Sequence, residues 1–385
     1  MISFFKHNLD KNKNYLKKTL SSSYLTSGPV CEKVENLLLK KFNKKFAILT
    51  NSWTNGLISI LLSLKLKPSD EVIIPACTFV ACANVVEMVG AKVIFADIDE
   101  KTKLLDINDC LKKITKNTKV IMPVHLYGNL FDTKKLKSNI KKNIIIIEDS
   151  AHAFCGEYHN KILGTHADFA VFSFYATKSI TCGEGGAIIT NHKKYAERIK
   201  SISNNGMTKP AFKRFVNNKY IPWDVNQYGF KSNLSDINAS ILTDQVINYS
   251  KVARIKKNIF EKYKNYLSKI NHISLPTENK NKDRDYYLFP IGVNKKYRNE
   301  LIEYLLNKKI YVTVNFKSVT ELSYYKKKYK NSNCPVSKKW GEEQISLPFH
   351  TKITNKEIKT VYSEIKKFFD RFYFLKSKKI QGQAV

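Results

Sequence analysis

The chain has 385 residues, 43% of them hydrophobic, with 66 Lys and Arg against 33 Asp and Glu for a formal charge of +33. That length exceeds one small core and suits a large and a small domain, and the most apolar run, "NIIIIE" (143–148), is far too short for a membrane span. The basic residues are spread from Lys6 to Lys379 without a compact, aromatic-interleaved patch or a helix-turn-helix, so they read as solvated faces and not as a nucleic-acid site; a positive field still draws phosphorylated substrates.

The N-terminal "MISFFKHNLDKNKNYLKK" lacks an apolar signal core, which predicts a cytoplasmic protein. From about 45 to 250 the pattern alternates. "KFAILT" is strand-like, "NGLISILLSLKL" helix-like, "DEVIIPA" a strand and "FVACANVVEMVG" a helix. "AKVIFADID", "TKVIMPVHLYG", "NIIIIEDSAH" and "DFAVFSFYATK" follow as strands. Continuous apolar strands between helices predict a largely parallel sheet covered on both faces, with ligands bound beyond the carboxyl ends of its strands. A basic helix over 243–270 leads to a smaller αβ region. There "YYLFPIGV" and "KKIYVTVNF" read as strands and "NKEIKTVYSEIKKFFDRFYF" as a closing helix. The expected division is a large domain over 1–250, a small one over 251–375 and a disordered tail over 376–385. Seven cysteines without a CxxC pair fit reduced packing thiols and predict no metal site.

Two polar residues stand out against the apolar strands. Four isoleucines carry Glu148 and Asp149 to the end of a buried strand, where an unpaired carboxylate is costly; Asp149 is either a helix cap or a functional acid. Lys178, closing "FSFYATK", is either a solvated cation or a chemical group. The stretch between them has room for one short element and a strand, so both converge above one sheet edge. A buried acid facing a lysine is the minimum equipment for pyridoxal phosphate (PLP): the lysine forms a Schiff base and the carboxylate keeps the ring nitrogen protonated. Ser52, Trp53 and Thr54 open a helix, as a phosphate site or a plain N-cap. Ser173, on the strand before Lys178, would add a phosphate contact. Phe79 stacks on the ring or packs in the core, and His152 covers the ring's other face or is structural.

These segments together resemble a known family. "SSYLTSGPVCEKVENLLLKKF", "NSWTNGL", "DEVIIPACTFVACANVVEMVGAKVIFADID", "PVHLYG", "IIEDSAHAFCGEY", "FSFYATKSITCGEGGAIIT", "NNGM" and "SLPFH" look like the DegT/DnrJ/EryC1/StrS sugar aminotransferases in order and spacing, from about residue 20 to 370. The resemblance implies the three-layer αβα PLP-transferase fold of type I, with a mostly parallel, mixed central sheet and a smaller C-terminal α+β domain. It also implies a homodimer with active sites at the subunit interface. Lys178 would carry the cofactor and move the proton between Cα and C4′, and Asp149 would partner the pyridinium. His152 and Phe79 would flank the ring, with Ser52, Trp53, Thr54 and Ser173 around the phosphate. Related sugar 3-dehydratases carry histidine where this chain has Lys178, which favours the aminotransferase. The implied reaction is a ping-pong transfer from L-glutamate to a nucleotide-linked 3- or 4-keto-deoxyhexose, for a surface glycan or an amino sugar.

The chain also departs from the family pattern. "GFKSN" stands where "GYNYR" is common, placing Lys231 at the position that reaches a partner's phosphate and Asn233 where arginine is usual. "NFKSVT" (315–320) replaces "HY-x-PLH", and Asn205 replaces the histidine of "NHG". Asn205, Asn315, His125, Tyr127 and the loop Tyr24, Leu25 and Thr26 are the substrate candidates. Two alternatives stay open: a smaller phosphorylated ketone such as a triose phosphate as acceptor, and a basic nucleic-acid-binding regulator on a PLP-enzyme scaffold.

Overall fold

The computed structural model describes residues 1–9, 13–158, 161–209, 214–216, 219–277 and 282–381. Its main element is a seven-stranded sheet: β1 (Phe46–Thr50), β2 (Glu71–Pro75), β3 (Lys92–Ala96), β4 (Thr118–Ile121), β5 (Ile145–Asp149), β6 (Phe169–Ser173) and β7 (Gly186–Thr190), in the order β1-β7-β6-β5-β4-β2-β3. β7 pairs antiparallel with both β1 and β6, and the remaining pairs are parallel. Six strands therefore run one way, and their carboxyl ends meet the amino end of β7 at a single edge.

Strand alternation builds the layers. In β1, Ile48 enters one core while Ala47 and Leu49 enter another. In β6, Phe169 and Val171 face the first core, and Ala170 and Phe172 the second. The first core is completed by helices α2 (Trp53–Leu64) and α3 (Ala81–Met88), the second by α1 (Pro29–Phe42) and α5 (Asp236–Ile247); α4 (Lys193–Ile202) also lies on the first face. A further core gathers Ile259, Phe260 and Tyr263 of α6 (Tyr249–Leu267) with α7 (Lys295–Asn307), α8 (Asn355–Gln381) and a small sheet. That sheet runs β8 (Ile273–Ser274), β9 (Phe289–Val293), β10 (Gln344–Leu347).

Several expectations change. β6 stops at Ser173, where the Phe174 amide donates to Gly185 O at 2.8 Å and the Cys182 amide to Phe174 O at 3.1 Å across a loop that returns as β7. Lys178 thus lies in a turn five residues beyond the strand, closed by its N–H donating to Tyr175 O at 2.9 Å. The basic helix over 243–270 is two helices that meet at Asn248. "KKIYVTVNF" forms only isolated bridges, since Ile310 pairs with Ile2 and Thr313 with Ser346. Val319, Tyr325, Cys334 and Trp340 pack into the first large-sheet core although they fall within 251–375. Tyr325 and Tyr329 set their rings edge-on to Phe95, and Asp97 accepts from the Val336 and Ser337 amides. α8 runs to Gln381, where a tail was expected from 376, and residues 382–385 lie outside the described residues.

Candidate active site

The shared strand edge opens into a cavity of about 480 Å³. Each wall follows a strand end: Ser52–Thr54 after β1, Thr78 and Phe79 after β2, Val124 after β4, and Asp149 and His152 at β5. Ser173 ends β6, Lys178 lies in the turn after it, and Glu184 and Gly185 precede β7. Tyr287, Asn315 and Phe316 close it from the C-terminal part of the chain.

Asp149 is 4% exposed. Its carboxylate accepts from the Ala151 amide at 2.9 Å and the Cys82 thiol at 3.3 Å. Burial raises its pKa; the Ala151 amide, Cys82 and the charge of Lys178 act against that shift. An acid held this way is poised to bond a cationic ring nitrogen. The next carboxylate, Glu148, alternates to the opposite face. Burial opposes its ionisation, but His125, the Thr133 hydroxyl and the Gly164 amide together hold its carboxyl below the usual range.

Lys178 Nζ stands 4.6 Å from the centre of the Tyr287 ring, and His152 packs on the same ring at 4.3 Å. His152 Nδ1 accepts the Tyr127 amide at 3.3 Å, which leaves the ring proton on Nε2. Burial first, then the charges of Lys178 and Lys256, push its pKa well below the ordinary histidine value. Phe79, 52% exposed, meets Phe316 at 5.5 Å, and Phe316 in turn stacks toward His152 at 5.8 Å.

At the other end of the cavity α2 begins. The Ser52 hydroxyl caps the Asn55 amide at 3.1 Å, and the first-turn amides have no intrahelical acceptor. Trp53 is buried, and its indole Nε1 has no hydrogen-bond partner among the described residues. Gly186 lies between Thr50 and Ser173 in the sheet, and a Cβ there would come within 2.7 Å of the Ser52 and Trp53 main chain. Only glycine lets β7 approach the helix start so closely. The residues present therefore fit PLP: an unsatisfied donor and free amides for the phosphate, rings for the pyridine, an acid at one side and a lysine at the other.

Of the sequence candidates, the structure brings Ser52, Trp53, Thr54, Phe79, Asp149, His152, Ser173, Lys178 and Asn315 onto one cavity. His125 and Tyr127 do not join them. Both are 1% exposed: His125 accepts from the Phe131 amide at 3.0 Å and faces Glu148, and Tyr127 takes the Trp340 indole N–H at 2.9 Å on its hydroxyl. They brace the strand end, and neither lines the cavity in this chain. Lys231 and Asn205 are exposed outside this chain's cavity, as are Tyr24, Leu25 and Thr26. Asn233 is tied to the Ser27 hydroxyl. Residues missed from sequence are Thr78, Tyr175, Thr177, Glu184, Tyr287 and Phe316. The nearest signal for Tyr175 and Thr177 is their place beside Lys178; "YYLFPIGV", which holds Tyr287, reads only as a strand.

The model of the DegT/DnrJ/EryC1/StrS aminotransferase family matches residues 7–366. GDP-perosamine synthase of Escherichia coli O157:H7 is 30% identical over 363 residues, 93% of this chain and 96% of that protein. The spore coat polysaccharide biosynthesis protein SpsC of Bacillus subtilis is 29% identical over 357 residues, 91% and 92% of the two chains. Among solved structures, Spr1654 of Streptococcus pneumoniae, described as a sugar aminotransferase, superposes in its apo form with a TM-score of 0.90 at 27% identity, over 98% of this chain and 99% of that one. Its PLP form gives 0.87 at 26% identity, over 96% and 98% of the two chains. The chain belongs to the DegT/DnrJ/EryC1/StrS family of PLP-dependent sugar aminotransferases.

Proposed function

We propose that this cytoplasmic enzyme transfers an amino group from L-glutamate to the ketone of a nucleotide-linked deoxysugar, in surface-glycan or amino-sugar biosynthesis. One observation carries the reading: Lys178, Asp149 and the start of α2 line one cavity in a chain from a sugar aminotransferase family. Bound PLP supplies an electron sink for the carbon that exchanges its amine. Lys178 would hold the cofactor and would serve as the base for the proton at the reacting carbon. Asp149 keeps a proton on the ring nitrogen, buried where its charge is little screened. Phe79 and His152 hold the ring plane and exclude water, while the α2 amides, Trp53 Nε1 and Ser173 anchor the phosphate.

The acceptor side is built from Phe79, Asn315 and Phe316, and the buried Asn315 Oδ1 without a partner is available to a sugar hydroxyl. The cavity mouth leaves Phe79 and Tyr175 exposed. In a homodimer the partner covers that mouth, and Lys231 serves the neighbouring phosphate as a point charge. The test offers a nucleotide-linked 4-keto-6-deoxysugar and a triose phosphate to the glutamate-reduced enzyme. Amination of the nucleotide sugar alone supports the reading; amination of the triose phosphate alone removes it. Sedimentation tests the dimer, and a monomer at assay concentration contradicts it.

A further inference from the structure

Lys256 lies on the inner face of α6, 2% exposed. A buried ammonium is costly unless paired, yet among the described residues no carboxylate lies within ion-pair distance of it. Its Nζ donates to the Ser179 hydroxyl at 3.0 Å, and it stands 5.5 Å from the centre of the Tyr287 ring and 5.4 Å from that of Phe349. Ser179 follows Lys178 directly in the chain and also hydrogen-bonds the Tyr249 hydroxyl. Tyr249 donates to Asp285, which accepts the Phe154, Cys155 and Tyr286 amides at 2.6, 3.0 and 2.7 Å. Tyr287, two residues on, is the ring against which both Lys178 and His152 rest. Lys256 thus touches both sides of this assembly, the turn that carries Lys178 and the ring behind it. Locally unfavourable choices such as a buried lysine concentrate at functional sites.

We propose that Lys256 is a positioning residue of the active site, holding the Lys178–Ser179 turn and the Tyr287 ring in register and supplying a fixed positive charge behind the cavity wall. This rests on the reading of the cavity as the transamination site. The titratable groups facing Lys256 are Asp285, Lys178, His152, His350 and Tyr287. Burial is the main force lowering its own pKa, to about 8; Asp285 resists the shift and Lys178 adds to it. The charge of Lys256 in turn helps keep His152 neutral, hence an Nε2–H donor.

The experiment compares wild type, Lys256→Met and Lys256→Arg as purified full chains. Three quantities are read: thermal midpoint against pH, the histidine NMR titration of the cofactor-free protein, and the rate of the PLP-loaded enzyme with L-glutamate. A residue that only packs loses stability when replaced. Here Lys256→Met raises the midpoint at pH 7 by a few degrees, moves the His152 titration toward the ordinary range, and slows the glutamate reaction about tenfold or more, since small misplacements of reacting groups are expensive. Lys256→Arg, which keeps the charge, recovers most of that rate. If Lys256→Met destabilises the chain and leaves His152 and the rate unchanged, the proposal is wrong. Should Lys256→Met not fold, the arginine variant decides. Lysine sheds its buried charge above about pH 8, where the unfolded chain still holds the proton, so wild-type stability rises through that window while arginine's does not. The gap between the two midpoints must widen as pH rises, and parallel curves overturn the assignment. Wild type that does not react with glutamate at all would instead sink the transamination reading, while the midpoints and the His152 titration still judge Lys256.

Discussion

Replacing Gly186 with alanine sets one methyl group against the start of α2. Its Cβ would stand 2.6 Å from the Ser52 carbonyl carbon, 2.7 Å from that oxygen and 2.7 Å from the Trp53 nitrogen. Carbon contacts ordinarily sit at about 3.5–4.0 Å, so strand and helix must part by roughly 1 Å. None of the three atoms can swing away, because all are main chain. β7 is itself held on both sides, with Gly186 opposite Thr50 and Ser173. Such overpacking costs about 1–3 kcal/mol. The same displacement moves the amides and the indole of the proposed phosphate cradle, and an error of that size in a binding geometry costs up to about 10²-fold.

Gly183→Ala separates the clash from simple glycine loss. Gly183 has φ +85° and nothing within 4 Å of a Cβ, so alanine there meets only backbone strain of about 1–2 kcal/mol. Thermal melts and a PLP titration followed by absorbance distinguish the two variants. Both melt earlier, but only Gly186→Ala loses cofactor affinity, by about ten- to a hundredfold. Wild-type PLP affinity in Gly186→Ala would refute the assignment of the phosphate to the start of α2, whatever the melt shows.

Other perturbations follow from the same geometry. The raised pKa of Asp149 means that the folded chain keeps a proton the unfolded chain has lost, so the stability it contributes is present at low pH and lost as pH rises from its ordinary 3.8 through the raised folded value. Melts against pH should show Asp149→Asn gaining on wild type across that window, while its PLP affinity falls. His152 is shifted the other way, so its neutral state costs nothing at neutral pH and stability is lost only on acidification below its ordinary 6.5; His152→Asn should flatten that acid limb of the cofactor-free protein's melting profile. His125→Ala strips a partner from buried Glu148 and should cost about 1–3 kcal/mol in a denaturant melt, with the KM of the acceptor unchanged. Phe316→Ala should raise the acceptor's KM and leave the glutamate half-reaction near wild type, which stopped-flow absorbance resolves.

The sheet and much of the site are legible in the sequence because they are local to strand ends. "IIIIED" buries a strand and delivers Asp149 to the edge where parallel strands finish, and "NSWTNGL" opens a helix at that same edge. What lies outside such stretches is hidden. Tyr287 and Phe316 reach the cavity only because the C-terminal part of the chain folds back over it, and neither "DRDYYLFPI" nor "NFKSVT" carries a local sign of that. Lys256 is one lysine in a basic helix until α6 turns its face inward. His125 and Tyr127 mislead for the opposite reason. They follow a strand and sit near the right edge, but the chain turns at Tyr127 with φ +60° and both side chains enter the protein. The 319–340 segment likewise sets its aromatic rings on Phe95 of the large sheet, a contact that nothing local in its sequence signals.

The central claim is that Lys178 carries the cofactor and starts the transfer. The most direct measurement is the absorption spectrum of the purified chain with PLP, before and after L-glutamate, alongside Lys178→Ala. Wild type should show a visible band that glutamate converts to a near-ultraviolet one, and Lys178→Ala neither that lysine-linked band nor turnover. A wild type that shows no lysine-linked band, or a Lys178→Ala variant that matches it through the glutamate conversion, would contradict the account.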